Sequence, residues 1–76
     1  MRVLVTEKLS EAGLELLRQR FQVDVREDLA HGDLAAEIAP YDALVIRSGT
    51  RVTADVLDAA PRLKVVARAE IGRAHV

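Results

Sequence analysis

Arg47, Ser48, Gly49 and Thr50 follow directly on an unbroken apolar run, Ala43-Leu-Val-Ile. Arginine brings a planar fork of donors that suits bidentate contact with a carboxylate or phosphate. Two hydroxyls add hydrogen-bonding groups, and glycine permits either a positive φ or close approach of a ligand. Together these residues suit a small anion. The competing reading of Arg47 is a solvated loop cation paired with Asp42 or Asp55, with Ser48 and Thr50 only shaping the turn. Arg68 ends a second apolar segment, Val65-Val-Ala. Two arginines from different strands can therefore converge on one anion, or Arg68 can be ordinary surface charge.

Other chemistries find less support. His31 and His75 stand apart, without spaced partners for a metal ion. No serine has a His and Asp constellation around it. Cysteine is absent, which removes disulfides and thiol chemistry and fits a cytoplasmic protein. After Val3–Val5 stands Thr6-Glu7-Lys8-Leu9-Ser10 rather than a glycine-rich phosphate loop, so this chain carries no dinucleotide site of its own. A net charge of −1 and a pI near 6.1 offer nothing to nucleic acid or an anionic membrane. The N-terminus lacks a signal-peptide layout, and no apolar run approaches membrane-spanning length. A small anion is the partner that the Arg47–Thr50 loop suits.

The elements that must position these residues are short and alternate in type. Ala43–Ile46 is apolar without a break, the pattern of a strand covered on both faces of a parallel sheet. In such sheets ligands bind beyond the carboxyl ends of the strands. Val3–Val5 is an earlier strand of the same kind. Ser10 is an N-cap with Glu11 in the first turn, and Leu9 and Leu14 form a hydrophobic staple. Leu14, Leu17 and Phe21, broadened by Leu16, give the inner stripe of a helix over about residues 11–20. Phe21–Val25 alternates apolar and polar, as an edge strand does, and Arg26–Asp28 is a charged turn. Asp33 caps a short helix over Leu34–Ile38, stopped by Pro40. Thr53 caps another, with Val56, Leu57 and Ala60 facing inward and Pro61 at its end. Lys64–Arg68 is the fourth strand, with Val65, Val66 and Ala67 expected to be buried.

The order is βαβαβαβ. It predicts an α/β fold with a flavodoxin-like parallel sheet and the first strand central. Half of the 76 residues are hydrophobic, enough for one small domain. A phospho-accepting receiver domain needs an aspartate where this third strand ends in Arg47, so that reading fails. Four strands are few for this architecture, and the chain reads as a truncated domain. An unpaired sheet edge predicts marginal stability or aggregation.

Four segments carry a family resemblance: Met1-Arg-Val-Leu-Val-Thr, Leu9-Ser-Glu-Ala-Gly-Leu-Glu-Leu-Leu, Tyr41-Asp-Ala-Leu-Val-Ile-Arg-Ser-Gly-Thr-Arg-Val-Thr and Ala59-Ala-Pro-Arg-Leu-Lys-Val-Val-Ala-Arg-Ala. Over residues 1–69 the chain resembles the start of the D-3-phosphoglycerate dehydrogenases, within the D-isomer-specific 2-hydroxyacid dehydrogenase family. The resemblance implies NAD-dependent oxidation of 3-phosphoglycerate to 3-phosphohydroxypyruvate, the entry to serine biosynthesis, by a homo-oligomeric full-length enzyme. It makes residues 1–69 the N-terminal part of a substrate-binding domain. It places Arg47 and Arg68 at the substrate's anionic groups, with Ser48 and Gly49 beside the ligand. The family's GxGxxG motif and catalytic arginine, glutamate and histidine fall beyond Val76, so NAD belongs to a Rossmann domain outside this chain. This chain alone is expected to be inactive. Glycerate and hydroxypyruvate reductases share looser versions of the motifs. A stand-alone anion-binding module and a largely unfolded partial translation product are the non-enzymatic alternatives.

The tail departs from the pattern. After Arg-Ala the family continues Gly-x-Gly-x-Asp-Asn, whereas this chain reads Glu70-Ile-Gly-Arg-Ala-His-Val. That heptapeptide is what GAG-ATC-GGA-AGA-GCA-CAC-GTC encodes, a string identical to a common sequencing adapter. Residues 70–76 are accordingly expected to be a non-native tail, with Glu70 a hybrid codon. A divergent native hinge is the alternative, and genomic DNA continuing this frame past Val76 would establish it.

Overall fold

The computed structural model describes residues 1–68, so the boundary expected after residue 69 and the tail beyond it lie outside the described residues. Four short strands form one parallel sheet in the order β2-β1-β3-β4. They are β1 (Arg2–Val5), β2 (Gln22–Val25), β3 (Ala43–Ile46) and β4 (Val65–Arg68). Here β1 lies between β2 and β3, with Leu4 opposite both Asp24 and Leu44. The flavodoxin-like order expected from the alternation of elements is the order observed. The alternating strand β2 takes one edge, where its polar positions Gln22 and Asp24 remain exposed.

Local side chains set the helix starts. Ser10 accepts from the Gly13 N–H at 3.1 Å and opens α1 (Glu11–Arg18). Asp33 accepts from Ala36 N at 3.2 Å ahead of α2 (Leu34–Glu37), and Thr53 from Val56 N at 3.4 Å ahead of α3 (Ala54–Asp58). Each cap satisfies an amide that the first helical turn leaves without a partner. The charged segment after β2 closes into a 3₁₀ turn, Glu27–Ala30, with Leu29 buried beneath it.

The sheet separates two apolar clusters. Val3, Val5 and Ala43 meet Leu9, Leu14, Leu17 and Phe21 on the α1 side. Leu4, Leu44 and Ile46 meet Leu29, Leu34, Ile38, Tyr41, Val56 and Ala60 on the other. The alternation of β1 and β3 between faces divides these residues, since successive strand side chains point opposite ways.

Several expected core positions are not core. Helix α1 ends at Arg18, two residues early, and Leu16 is 65% exposed because it lies off the Leu14–Leu17 stripe. Val56 of α3 and Ala60 just beyond its end join the core, leaving Leu57 52% exposed. A helix of five residues presents one narrow stripe to the sheet. Val65 and Val66 were expected to be buried and are 48% and 40% exposed, and Ala67 is exposed as well. Among the described residues β4 pairs only with β3, and neither valine joins a core cluster.

At the β2 edge the Tyr41 hydroxyl donates to Asp24 Oδ2 at 2.6 Å, and the Arg2 guanidinium lies 3.2 Å from the same oxygen and 4.8 Å above the Tyr41 ring. The Tyr41 hydrogen bond, reinforced by Arg2, holds the Asp24 carboxyl below its ordinary range despite some burial. Tyr41→Phe removes that donor while keeping the ring in the core. We expect a cost of about 1 kcal/mol, or roughly 4–8 °C in melting temperature. Thermal denaturation followed by circular dichroism checks it, and an unchanged melting temperature would show the contact to be idle.

Candidate functional site: an anion loop at the strand ends

Strand β3 delivers Arg47 to the carboxyl edge of the sheet, where the chain turns and the Thr50 N–H reaches the Arg47 carbonyl at 3.4 Å. What holds this turn is the residue after Thr6. The Glu7 carboxylate accepts the Arg47 N–H through Oε2 and the Gly49 N–H through Oε1, the latter at 2.9 Å. The Thr50 hydroxyl and N–H lie on the same side and favour its ionised form. Burial pushes the Glu7 carboxyl up, but the Thr50 hydroxyl and the three backbone N–H groups outweigh that and hold it below its ordinary range. Beneath it, the fully buried Thr6 and the buried Thr50 share a hydrogen bond between their hydroxyls at 2.9 Å.

Gly49 has a role specific to this clamp. A Cβ built on it would stand 2.7 Å from Glu7 Oε1. Of the two explanations available from sequence, close approach is the one the structure supports, and φ at Gly49 lies outside the left-handed region. The group that approaches is this chain's own carboxylate.

The two arginines do not converge. Arg47 Nη1 donates to the Lys8 carbonyl at 3.1 Å, reaching back over the end of β1. Its pairing with Asp42 or Asp55 is not observed; Asp42 instead accepts the Arg2 N–H at 2.8 Å and faces Arg62 at 3.7 Å. Arg68 pairs in register with Ile46, and the alternation of the strand puts it on the Leu44–Ile46 face. There it lines an open groove of about 570 Å³ together with Ile46, Ser48, Thr50, Thr53 and Val66. Ser48 and Arg68 thus share one concavity, while Arg47 and Gly49 shape the turn behind it.

Glu7 was not among the residues singled out from sequence. The signal lay in the topology: β1 and β3 are neighbours with Val5 opposite Val45, so the residues two places further on, Glu7 and Arg47, face one another. The same segment does not fit a dinucleotide. It offers no glycine, its carboxylate opposes a pyrophosphate, and Ser10 already takes an amide of the first α1 turn.

The chain matches the family described as "D-isomer specific 2-hydroxyacid dehydrogenase, catalytic domain" over residues 3–76. It belongs to the D-isomer-specific 2-hydroxyacid dehydrogenases. Within this dehydrogenase family it is 56% identical over 72 residues to "D-3-phosphoglycerate dehydrogenase 2, chloroplastic" of Arabidopsis thaliana, covering 93% of this chain and 12% of that protein. It is 42% identical to a glyoxylate reductase of Thermococcus onnurineus, over 93% of this chain and 22% of that one. It is 39% identical to a hydroxypyruvate reductase of Thermotoga maritima, over 93% and 24%. A crystal structure of a Pyrococcus horikoshii protein superposes with a TM-score of 0.82 at 28% identity, covering 88% of this chain and 20% of that one. The chain therefore spans between about an eighth and a quarter of the length of these relatives.

Proposed function

We propose that this chain is the N-terminal part of the substrate-binding domain of an enzyme that oxidises 3-phosphoglycerate to 3-phosphohydroxypyruvate with NAD, and that it supplies the groove for the substrate's anionic groups. The observation that carries the reading is the meeting of Ser48 and Arg68 in one groove at the carboxyl ends of β3 and β4, in a chain 56% identical to a D-3-phosphoglycerate dehydrogenase. Arg68 offers a guanidinium fork to a phosphate or carboxylate, and Ser48 a hydroxyl. Arg47 carries positive charge in the turn behind the groove, and Gly49 lets that turn close tightly. Among the described residues nothing positions a nicotinamide or an acid–base group for the hydroxyl proton, and on this reading the chain binds without reacting.

Titration of the ¹⁵N-labelled chain with 3-phosphoglycerate tests this. The amides of Ser48 and Thr50 and those of Val66 to Arg68 are expected to shift. Arg68→Ala is expected to weaken binding about tenfold or more, the value of one charge-assisted hydrogen bond. Shifts confined to α1 or β2, or no shifts at all, would remove the reading. NADH formation by this chain alone would overturn its assignment as a non-reacting part.

A second reading is favoured by the glyoxylate and hydroxypyruvate reductases among the relatives. It makes the ligand a small 2-oxo acid without phosphate. Tighter binding of glyoxylate or hydroxypyruvate than of 3-phosphoglycerate at the same amides would put this reading first.

A further inference from the structure

We propose that Glu7 is the positioning residue of the anion groove: its carboxylate clamps the Arg47–Thr50 turn so that Ser48 faces Arg68. The proposal rests on the groove's assignment to substrate. Glu7 gathers two backbone amides of one turn, those of Arg47 and Gly49, forty and forty-two residues away in the chain. The Ser48 amide, between them, is not among the donors to Glu7. A carboxylate acting as a clamp thus engages the amides on either side of Ser48, which itself lines the groove.

An obvious alternative is that Glu7 occupies the place of the ligand's own anion and is expelled when ligand binds. Three features favour the clamp. Gly49 has no side chain where a Cβ would stand 2.7 Å from Glu7 Oε1. The buried Thr6–Thr50 hydroxyl pair anchors the same turn from the adjacent residue of β1's loop. The groove itself lies on the Ser48 and Arg68 side and does not include Glu7 among its walls. A ligand can enter it without moving the carboxylate.

The test uses the chain with Glu7→Gln, which keeps the side chain's size and removes its charge, and Gly49→Ala, which reaches the same contact from the turn. Amide hydrogen exchange is followed at Arg47, Gly49 and Thr50, with Leu4 and Leu44 in the sheet as internal reference. In both variants the three turn amides are expected to exchange at least about tenfold faster, as loss of a charge-assisted hydrogen bond implies. The sheet amides report any general loss of stability. Binding of 3-phosphoglycerate, measured per folded molecule, is expected to weaken about tenfold because the groove is no longer preorganised. Exchange at the turn that accelerates only in step with Leu4 and Leu44 overturns the clamp. Tighter binding in Glu7→Gln also overturns it, in favour of a displaced carboxylate, and so does faster turn exchange with unchanged affinity. If the unaltered chain binds no 3-phosphoglycerate, the substrate assignment fails by itself, and the exchange data still decide whether Glu7 holds the turn.

Discussion

Leu44→Ala is expected to leave most of this chain unfolded or close to unfolding at room temperature. Leu44 is fully buried and lies between two neighbours in the sheet, opposite Leu4 on β1 and Val66 on β4. It belongs to the larger apolar cluster, against residues from α2 and α3. Truncating a buried leucine costs about 2–5 kcal/mol, because the removed atoms lose their transfer free energy and leave a cavity. Total stability at roughly 0.05–0.15 kcal/mol per residue comes to about 4–11 kcal/mol for a chain of this length. The exposed strand β4 argues for the lower part of that range. Urea unfolding checks the prediction, with the midpoint expected to fall by about 2 M or more at an m-value near 1 kcal/mol/M. Leu57→Ala is the control: the same side chain at a half-exposed site, expected to change stability by no more than about 0.5 kcal/mol. Equal effects at the two positions would refute the division between core and surface.

Acid is expected to destabilise the chain, beginning below about pH 5 and progressing as pH falls through the lowered native values. Glu7, Asp24, Asp28 and Asp42 all have carboxyls held below their ordinary values of 4.5 and 3.8. For Glu7 the Thr50 hydroxyl and three backbone amides overcome burial. For Asp24 the Tyr41 hydroxyl leads, for Asp28 the Arg26 guanidinium, and for Asp42 the Arg2 N–H. A lowered native pKa means that the unfolded chain takes up protons first as pH falls. The stabilisation is therefore complete above the unfolded values and is lost as pH drops through the native ones. The pairs involving Arg26 are well exposed and contribute least. At the alkaline end, burial and Asp24 push the Tyr41 hydroxyl up from 10.0. Its contribution is present below that value and is lost as pH rises above it. Urea midpoints across the pH range should give a plateau with a steep acid limb. Glu7→Gln should make that limb shallower, since one of the titrating groups is gone. A midpoint that stays level from pH 6 to pH 3 would contradict the assignment of these contacts.

What the amino-acid sequence determines by itself is the set of local structures. The apolar runs at Val3–Val5 and Ala43–Ile46 and the caps Ser10, Asp33 and Thr53 act within a few residues of themselves. Their elements begin where the residue types require. Strand order followed because short crossovers between parallel strands leave few alternatives. The polar turn after β3 was legible too, as a place: polar residues crowd the end of a buried strand. Its internal arrangement was not. Whether Arg47 and Arg68 share one anion depends on the face to which each strand turns its last residue, and on what already bonds them. Here Arg47 is drawn to the Lys8 carbonyl, while Ser48 and Arg68 share the groove. Glu7 became visible only once β1 lay beside β3, since the donors it gathers are some forty residues away. The exposure of Leu57, Val65 and Val66 has the same origin. Hydrophobicity marks a side chain as able to be buried, and the neighbouring elements decide whether anything covers it. The polar turn belongs to the sequence; the contacts that hold it belong to the tertiary structure, because only the sheet brings Glu7 to its amides.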